Sequence, residues 1–563
     1  MGFGVLEPKA EGHVPGTVYL YDENQPEGTQ DTSLLKHGTG KYSHVVLTPQ
    51  PSDDPNDPLN WSSFEKHAVL AILGFGAIVC GAGPGAILQA GVLPISQSLG
   101  VSFTQVTLLA GYVLLSAGAF GVFVSGLARK FGKRPLYIFC SLMAVTGCII
   151  GECAQTYSTL VAARVVQGLG VGAYESLIVA SIGDLFFVHE RGSRVAGVIF
   201  LLSTVANGVL VIAGPITANL GWHYNFHILL PFLGLQLLLT IFFVPETTYI
   251  RKKIYEIDET GSDQNLAALG QDVERHRYAN EKVTKTKSEQ AENISQISVP
   301  PTRKTYIQRL AVFNGVFVRD SLLKMVTAPV AILLNVAASY NVLVTGITLA
   351  WYVAMSIVSS IIFSSPPYLL TPAGVGYTSA APMIGGIIGS IFMGVIAKPQ
   401  LMWMVKRNNG IYEPEFQLLG SAVGSITSIA GMVGFGYAAQ NFQSIYVICF
   451  CWGLMMFGLC IINISLSGYV LDAYRKHSTE LFVMNMLFKN FFFYGLTNYI
   501  VDWLMTQGPA KMFNIIAGIT AGCVLTTIPM YIYGKRYRRF WAHHNLIKIL
   551  RLETDLTGTE AAE

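Results

Sequence analysis

Charge is what this sequence most conspicuously lacks. Lysine, arginine, aspartate and glutamate make up only 13% of its 563 residues, about half the ~25% of an average soluble domain. That argues against a water-soluble globule. The net charge of +3 is too small to serve as a footprint for nucleic acid. Cysteine is present but unpaired in pattern: Cys80, Cys140, Cys148, Cys153, Cys449, Cys451, Cys460 and Cys523 all lie in apolar runs, and none forms a CxxC. This excludes a disulfide framework and a zinc ribbon, and leaves small packing residues. A cleavable leader is also missing from the pattern. Residues 1–60 are polar and rich in Gly, Pro and Asp, so the first apolar run is expected to act as an uncleaved targeting signal.

What the chain does have is long oily runs, with 52% of its residues hydrophobic. A hydrocarbon core of ~30 Å needs about 20 helical residues to cross it. Twelve such runs are predicted, roughly at 67–90, 105–127, 135–154, 159–184, 195–218, 226–245, 328–352, 377–397, 417–438, 444–470, 481–503 and 513–534. Between the sixth and the seventh lies a polar stretch containing KSEQAENISQ, whose composition suits a linker with little core of its own. The expectation is an all-α membrane protein with twelve transmembrane helices in two six-helix bundles. A tail covers 1–65, the first bundle 66–247, a linker 248–322, the second bundle 323–535 and a second tail 536–563.

Basic residues set the expected orientation. The gaps after odd-numbered runs hold almost none, Lys511 being the exception. The even gaps hold Arg129, Lys130, Lys133 and Arg134, then Arg191 and Arg194, the linker, Lys398, Lys406 and Arg407, and Arg475 and Lys476, while KRYRR (535–539) follows the last run. This one-sided distribution predicts a multi-pass protein with both termini and the linker in the cytosol.

Six short stretches in order carry a resemblance. GLARKFGKRP (126–135) resembles the loop between helices 2 and 3 of the major facilitator superfamily, where Gly-x-Leu-Ala-Asp-Arg-x-Gly-Arg-Arg is usual. RVVQGLGVG (164–172) resembles that family's helix 4 motif. NGVLVIAGPITANLGW (207–222) resembles the helix 5 motif of its drug:proton antiporter branch. NDPLNW (56–61), VPETTY (244–249) and KRNNGIYEPEFQL (406–418) resemble signatures of fungal twelve-span members. The resemblance implies the major facilitator fold, with its two halves related by pseudo-symmetry. It also implies that Gly132, Arg134, Arg129 and Asp184 form a conformational motif at the cytosolic face, and that Gly208, Gly214 and Pro215 form a second one on helix 5. Two departures stand out. The family's aspartate position holds Arg129, which suggests Asp184 or Glu190 as its partner. After Gly214-Pro215 the chain reads Ala218-Asn219, and NLGWHYNF (219–226) resembles a fungal branch that includes a yeast polyamine and histidinol importer.

Charge inside a bilayer is costly and usually faces the bundle interior. Three residues fit. Glu175, near the middle of the fourth run, could carry a proton or anchor a cationic substrate; the alternative is a permanently paired structural carboxylate. Lys489, mid-way along the eleventh, could anchor an anion or balance Glu175, against the alternative of snorkelling to an interface. Arg164, about three turns before Glu175 on the same face, resembles the motif arginine linked to proton coupling, against a structural pair with Glu152. Among buried amides and phenols, Asn335, Tyr340 and Asn463 are the candidates for touching substrate, against simple helix-joining. Gly208, Gly214 and Pro215 could let helix 5 bend, or could serve close packing alone.

Several lookalikes carry no function. GLGVG (168–172) follows no strand and so is no dinucleotide loop. His223 and His227 have the spacing of a metal pair but no evident third ligand. The sequons at Asn60 and Asn293 fall on the expected cytosolic side. No cofactor or metal is called for. The expected partners are protons, a small-molecule substrate and the lipid bilayer, with the protein a monomer, no nucleic acid involved, and the plasma membrane as the location. The function read from this is proton-coupled export of a secondary metabolite, toxin or drug. Uptake of an organic cation such as a polyamine is the alternative, and a multispan transferase is a remote one, because no His, Asp or Cys cluster suits it.

Overall fold

The computed structural model describes residues 51–249, 303–474 and 478–544, apart from 53, 319–320 and 410, together with 546 and with 4–7, 14 and 16–19 of the N-terminal tail. Arg475, Lys476, the sequon at Asn293, most of the linker and the end of the C-terminal tail lie outside the described residues.

Twelve helical spans follow one another. They are α1 (Ser63–Leu99), α2 (Phe103–Phe131), α3 (Arg134–Glu152), α4 (Tyr157–Leu185), α5 (Val188–Asn219), α6 (His223–Phe243), α7 (Val336–Ser364), α8 (Pro372–Arg407), α9 (Leu419–Gln440), α10 (Ile445–Ala473), α11 (Ser478–Thr497) and α12 (Ile500–His543). Eleven are long and apolar enough to cross a membrane. The other, α11, carries Glu480, Asn485, Lys489 and Asn490 within its 20 residues, and it lies against the opposite half. The first six helices pack among themselves and the last six likewise, while α2 lies along α11 and α5 along α8 to join the halves.

Local chemistry sets the ends. Ser62 Oγ accepts from Glu65 N at 3.2 Å and starts α1, and Ser102 forms a capping box with Gln105 at the start of α2. Inside α1 the sequence GAGPGA cannot hold a regular ladder. The helix widens to a π-turn over Ala77–Ala82 and tightens to a 3-10 turn at Gln89–Gly91, because Pro84 removes a donor. In α4 the regular helix stops at Ser176 and resumes at Ile178.

Two boundaries differ from the sequence expectation. The seventh run does not begin a span at 328. Leu322–Leu334 is a separate short apolar helix, Asn335 leaves helical geometry with ψ 116°, and α7 then continues to Ser364. The eleventh run does not reach 503 unbroken, since α11 ends at Thr497. A second break falls in α12 at Gly508, whose φ of 74° is followed by Pro509.

Described stretches of the tail and of the linker make contacts that the sequence did not suggest. Val18–Tyr19 (β1) pairs antiparallel with Ile411–Tyr412 (β2) of the α8–α9 loop. Val5 is buried against Met404, Val405, Tyr412 and Phe416, Glu7 pairs with Lys535 at 2.7 Å, and Leu6 N donates to Ile532 O at 3.0 Å. The N-terminal tail thus reaches the C-terminal half. Beneath it, Arg538 is clasped by Glu413 and Glu415 at 3.0 and 2.7 Å, with all three side chains at most 2% exposed. The end of the linker docks on the other half, where Arg309 pairs with Glu65 at 2.6 Å and Phe317 N donates to Lys130 O at 2.9 Å. These contacts all lie on one end of the molecule, the tail face.

Candidate functional site

Two of the three charges predicted inside the bundle meet. Glu175 of α4 and Lys489 of α11 form an ion pair between the two halves, with side chains 16% and 12% exposed. Asn490, fully buried, donates from Nδ2 to Glu175 Oε2 at 3.3 Å, while its Oδ1 has no partner. Glu175 lies about ten residues from the tail-face end of α4, and Lys489 about eleven from that of α11. At ~1.5 Å per residue both sit ~15 Å deep, half-way through a ~30 Å hydrocarbon core. A Gly-rich α4 with a break just after Glu175 and an Asn-rich α11 are what allow two charged side chains to be tolerated there.

Arg164 does not make the pair with Glu152 that was the alternative to a coupling role. Its Nη1 donates to Pro84 O at 2.6 Å and to Gln167 Oε1 at 2.9 Å, and its guanidinium lies over Phe226. Glu152 is instead bonded to His227 Nδ1 at 2.6 Å. Arg164 therefore pins the irregular stretch of α1 to α4. His223 bonds Ala154 O, and among the described residues no three His, Cys, Asp or Glu side chains cluster as metal ligands do.

The three polar substrate candidates have partners elsewhere. Asn335 Oδ1 accepts from Ala337 N and Ala338 N at 2.9 and 3.3 Å, capping α7 near the tail face. Tyr340 OH donates to Thr527 Oγ1 at 2.7 Å. Asn463 Nδ2 donates to Leu459 O at 2.8 Å, and its Oδ1 accepts from Thr348. None of these bonds reaches the Glu175–Lys489 pair. In FKNFFFYG, Phe488 and Phe492 stack beside Trp351 of α7, Phe493 is buried and Phe491 is exposed.

At the tail face the 126–135 loop is clamped from three sides. Arg129, for which the sequence suggested Asp184 or Glu190 as partners, forms an ion pair with Glu480; Lys133 pairs with Asp184 and Arg194 with Glu190. The first joins α2 to α11 across the halves. Glu246 of VPETTY, which sequence reasoning gave no role, accepts from Lys133 N at 3.0 Å, Arg134 N at 3.1 Å and Thr248 N at 2.9 Å. It caps the start of α3, where a carboxylate also suits the helix dipole. Arg134 is buried and donates to Thr240 O and Ile241 O of α6 at 3.2 and 2.7 Å and to Val244 O. Gly132 has φ 94°, and a Cβ there would lie 2.4 Å from Glu246 Oε2. Only glycine fits that turn.

At the opposite face α5 crosses α8 backbone to backbone. A Cβ on Gly214 would lie 2.6 Å from Pro372 O and 2.8 Å from Gly376 Cα. α5 continues through Pro215 to Asn219, and Gly208 faces Met383. Between these levels Asn207 Nδ2 donates to Tyr352 OH of α7 at 2.8 Å. The halves therefore touch through a salt link at the tail face, the Glu175–Lys489 ion pair midway, and the Asn207–Tyr352 bond and a glycine contact beyond.

The model of the family described as Major Facilitator Superfamily matches residues 70–493. An uncharacterised MFS-type transporter of Schizosaccharomyces pombe is 27% identical, over 95% of this chain and 95% of its own. Protein HOL1 of Saccharomyces cerevisiae is 26% identical, over 93% and 95%. Among solved structures, the proton:xylose symporter XylE superposes with a TM-score of 0.51 at 14% identity, over 84% of this chain and 96% of that one; at that identity the likeness speaks for the fold alone.

Proposed function

The chain belongs to the major facilitator superfamily, and on that premise we propose that it is a proton-coupled carrier that exports a small organic compound by alternating access, with Glu175 as the proton carrier. It is a multi-pass membrane transporter by family and fold. The reading beyond that rests on one observation, the Glu175–Lys489 pair at mid-depth between the halves. A proton on Glu175 cancels its attraction for Lys489, so proton entry loosens α4 from α11 at the level where substrate binds in such folds. Both end contacts, Arg129–Glu480 and Gly214–Gly376, are closed together in this structure, and rocking of the halves would then open one of them at a time. Arg164 supports this by fixing the broken part of α1 against the helix that carries Glu175. The tail face is taken as cytosolic from the basic residues, and the plasma membrane as the location.

Uptake of an organic cation is the second reading, on the resemblance of NLGWHYNF. Those residues make local bonds: Trp222 Nε1 donates to Ser98 Oγ at 3.0 Å and Asn225 Nδ2 to Thr217 Oγ1 at 2.6 Å. Packing accounts for them without a ligand. Comparison of metabolite levels in cells with and without the gene separates the readings. Export predicts that at least one small organic compound rises inside cells when the gene is removed. A fall without any rise supports uptake.

A further inference from the structure

The arrangement of charges around Glu175 narrows the class of compound carried. We infer that the substrate is amphoteric, bearing a protonated amine and a carboxylate on one small molecule. This rests on the reading of Glu175 and Lys489 as the transport site.

The site is electrically neutral as it stands, one carboxylate against one ammonium. A bare cation binding Glu175 must displace Lys489 and leaves that ammonium unpaired in a low dielectric beside a second positive charge. A bare anion binding Lys489 strands Glu175 in the same way. Leaving one partner of such a pair uncompensated is the costly step. A molecule carrying both charges replaces each half of the ion pair and strands neither.

Asn490 adds an independent indication. Its side chain is fully buried, its Nδ2 is committed to Glu175, and its Oδ1 accepts nothing. A buried acceptor without a partner calls for a donor, and this one belongs to the residue that bonds Glu175. An ammonium group has three N–H donors, enough to bond Glu175 and Asn490 Oδ1 together. Lys489 has three donors as well, one of which is used on Glu175, so it can hold a carboxylate. A quaternary amine would leave Asn490 unsatisfied, which restricts the class to primary and secondary amines. Substrate ammonium and proton then compete for one carboxylate, and proton entry expels the amine.

The test uses the purified full-length chain in lipid nanodiscs, with thermal stabilisation as the readout. The probes are the common amino acids and 4-aminobutyrate, with putrescine, spermidine and benzoate as single-charge comparators. Stabilisation is expected from at least one amphoteric probe and from none of the comparators. Its apparent Kd should rise at least about tenfold, ~1.4 kcal/mol, in Glu175→Gln and in Lys489→Met, and should rise on acidification. Lys489→Arg, which keeps the charge, should retain binding and shows that the site still folds. Stabilisation by spermidine or benzoate without any amphoteric probe overturns the inference, as does stabilisation by none of the probes. Spermidine binding that Glu175→Gln abolishes would overturn the substrate class while leaving the proton-coupled reading intact.

Discussion

Removing the Arg129–Glu480 link is the perturbation whose outcome follows most directly from the structure. The two side chains are each 11% exposed, so water screens them only in part. Two unit charges ~4 Å apart attract by ~4 kcal/mol at an effective dielectric of ~20. Desolvation and side-chain ordering take back a good share, which leaves a coupling of ~1–3 kcal/mol, within the usual range for contacting residues. Arg129→Ala and Glu480→Ala are each expected to lower the melting temperature of the detergent-solubilised protein. The double variant should lose less than the sum of the two single losses, because either removal already breaks the link. Arg129→Glu should be worse than Arg129→Ala, since it sets two carboxylates against each other, and Glu480→Arg in the same chain should recover most of the loss. Additive losses in the alanine cycle, or a charge swap that fails to recover stability, would refute the claim that these two residues hold the halves together at this face.

Other expectations follow from the same contacts. Arg538→Met leaves Glu413 and Glu415 buried with their shared partner gone, and should cost ~3–5 kcal/mol, read as a loss of folded protein on gel filtration and a lower melt. Glu246→Ala uncaps α3 and should cost ~1 kcal/mol, while Gly132→Ala should cost ~1–2 kcal/mol for its positive φ, both read as a lower melting temperature. Gly214→Val drives a side chain into the backbone of α8. Overpacking of ~1–3 kcal/mol should part α5 from α8, and labelling of a cysteine placed at Tyr377 by a membrane-impermeant maleimide should speed up; unchanged labelling would show that the contact does not close this face.

The spans were readable because the hydrocarbon core imposes their length and composition. The third, expected at 135–154, is Arg134–Glu152, its start marked by Pro135 and its end by the change to polar residues. The seventh was misplaced for a physical reason. Leu322–Leu334 is as apolar as a span, and the break at Asn335 is a cap recognisable only once its carbonyl oxygen is seen accepting from Ala337 and Ala338. In the sequence the same residue was a candidate for touching substrate, as were Tyr340 and Asn463; in the structure Tyr340 bonds Thr527 and Asn463 bonds Leu459 O and Thr348. Glu175 and Lys489 stood out because charge inside an oily run is expensive whatever it touches. Glu480 did not, since a carboxylate near a membrane edge is ordinary, and its value lies in meeting Arg129 some 351 residues away. Glu246 sat in a quoted motif, yet its role needed the three backbone donors it accepts. The docking of residues 4–7 and 16–19 rests on two-residue strands and scattered contacts, too little pattern to read from one chain.

The most direct test of the central claim is transport driven by a pH gradient in proteoliposomes, using the compound identified by the metabolite comparison, for the native chain and for Glu175→Gln. The account predicts that the gradient accelerates transport by the native chain and no longer does so in the variant, which still exchanges the compound across the membrane. A variant that responds to the gradient as fully as the native chain would contradict it.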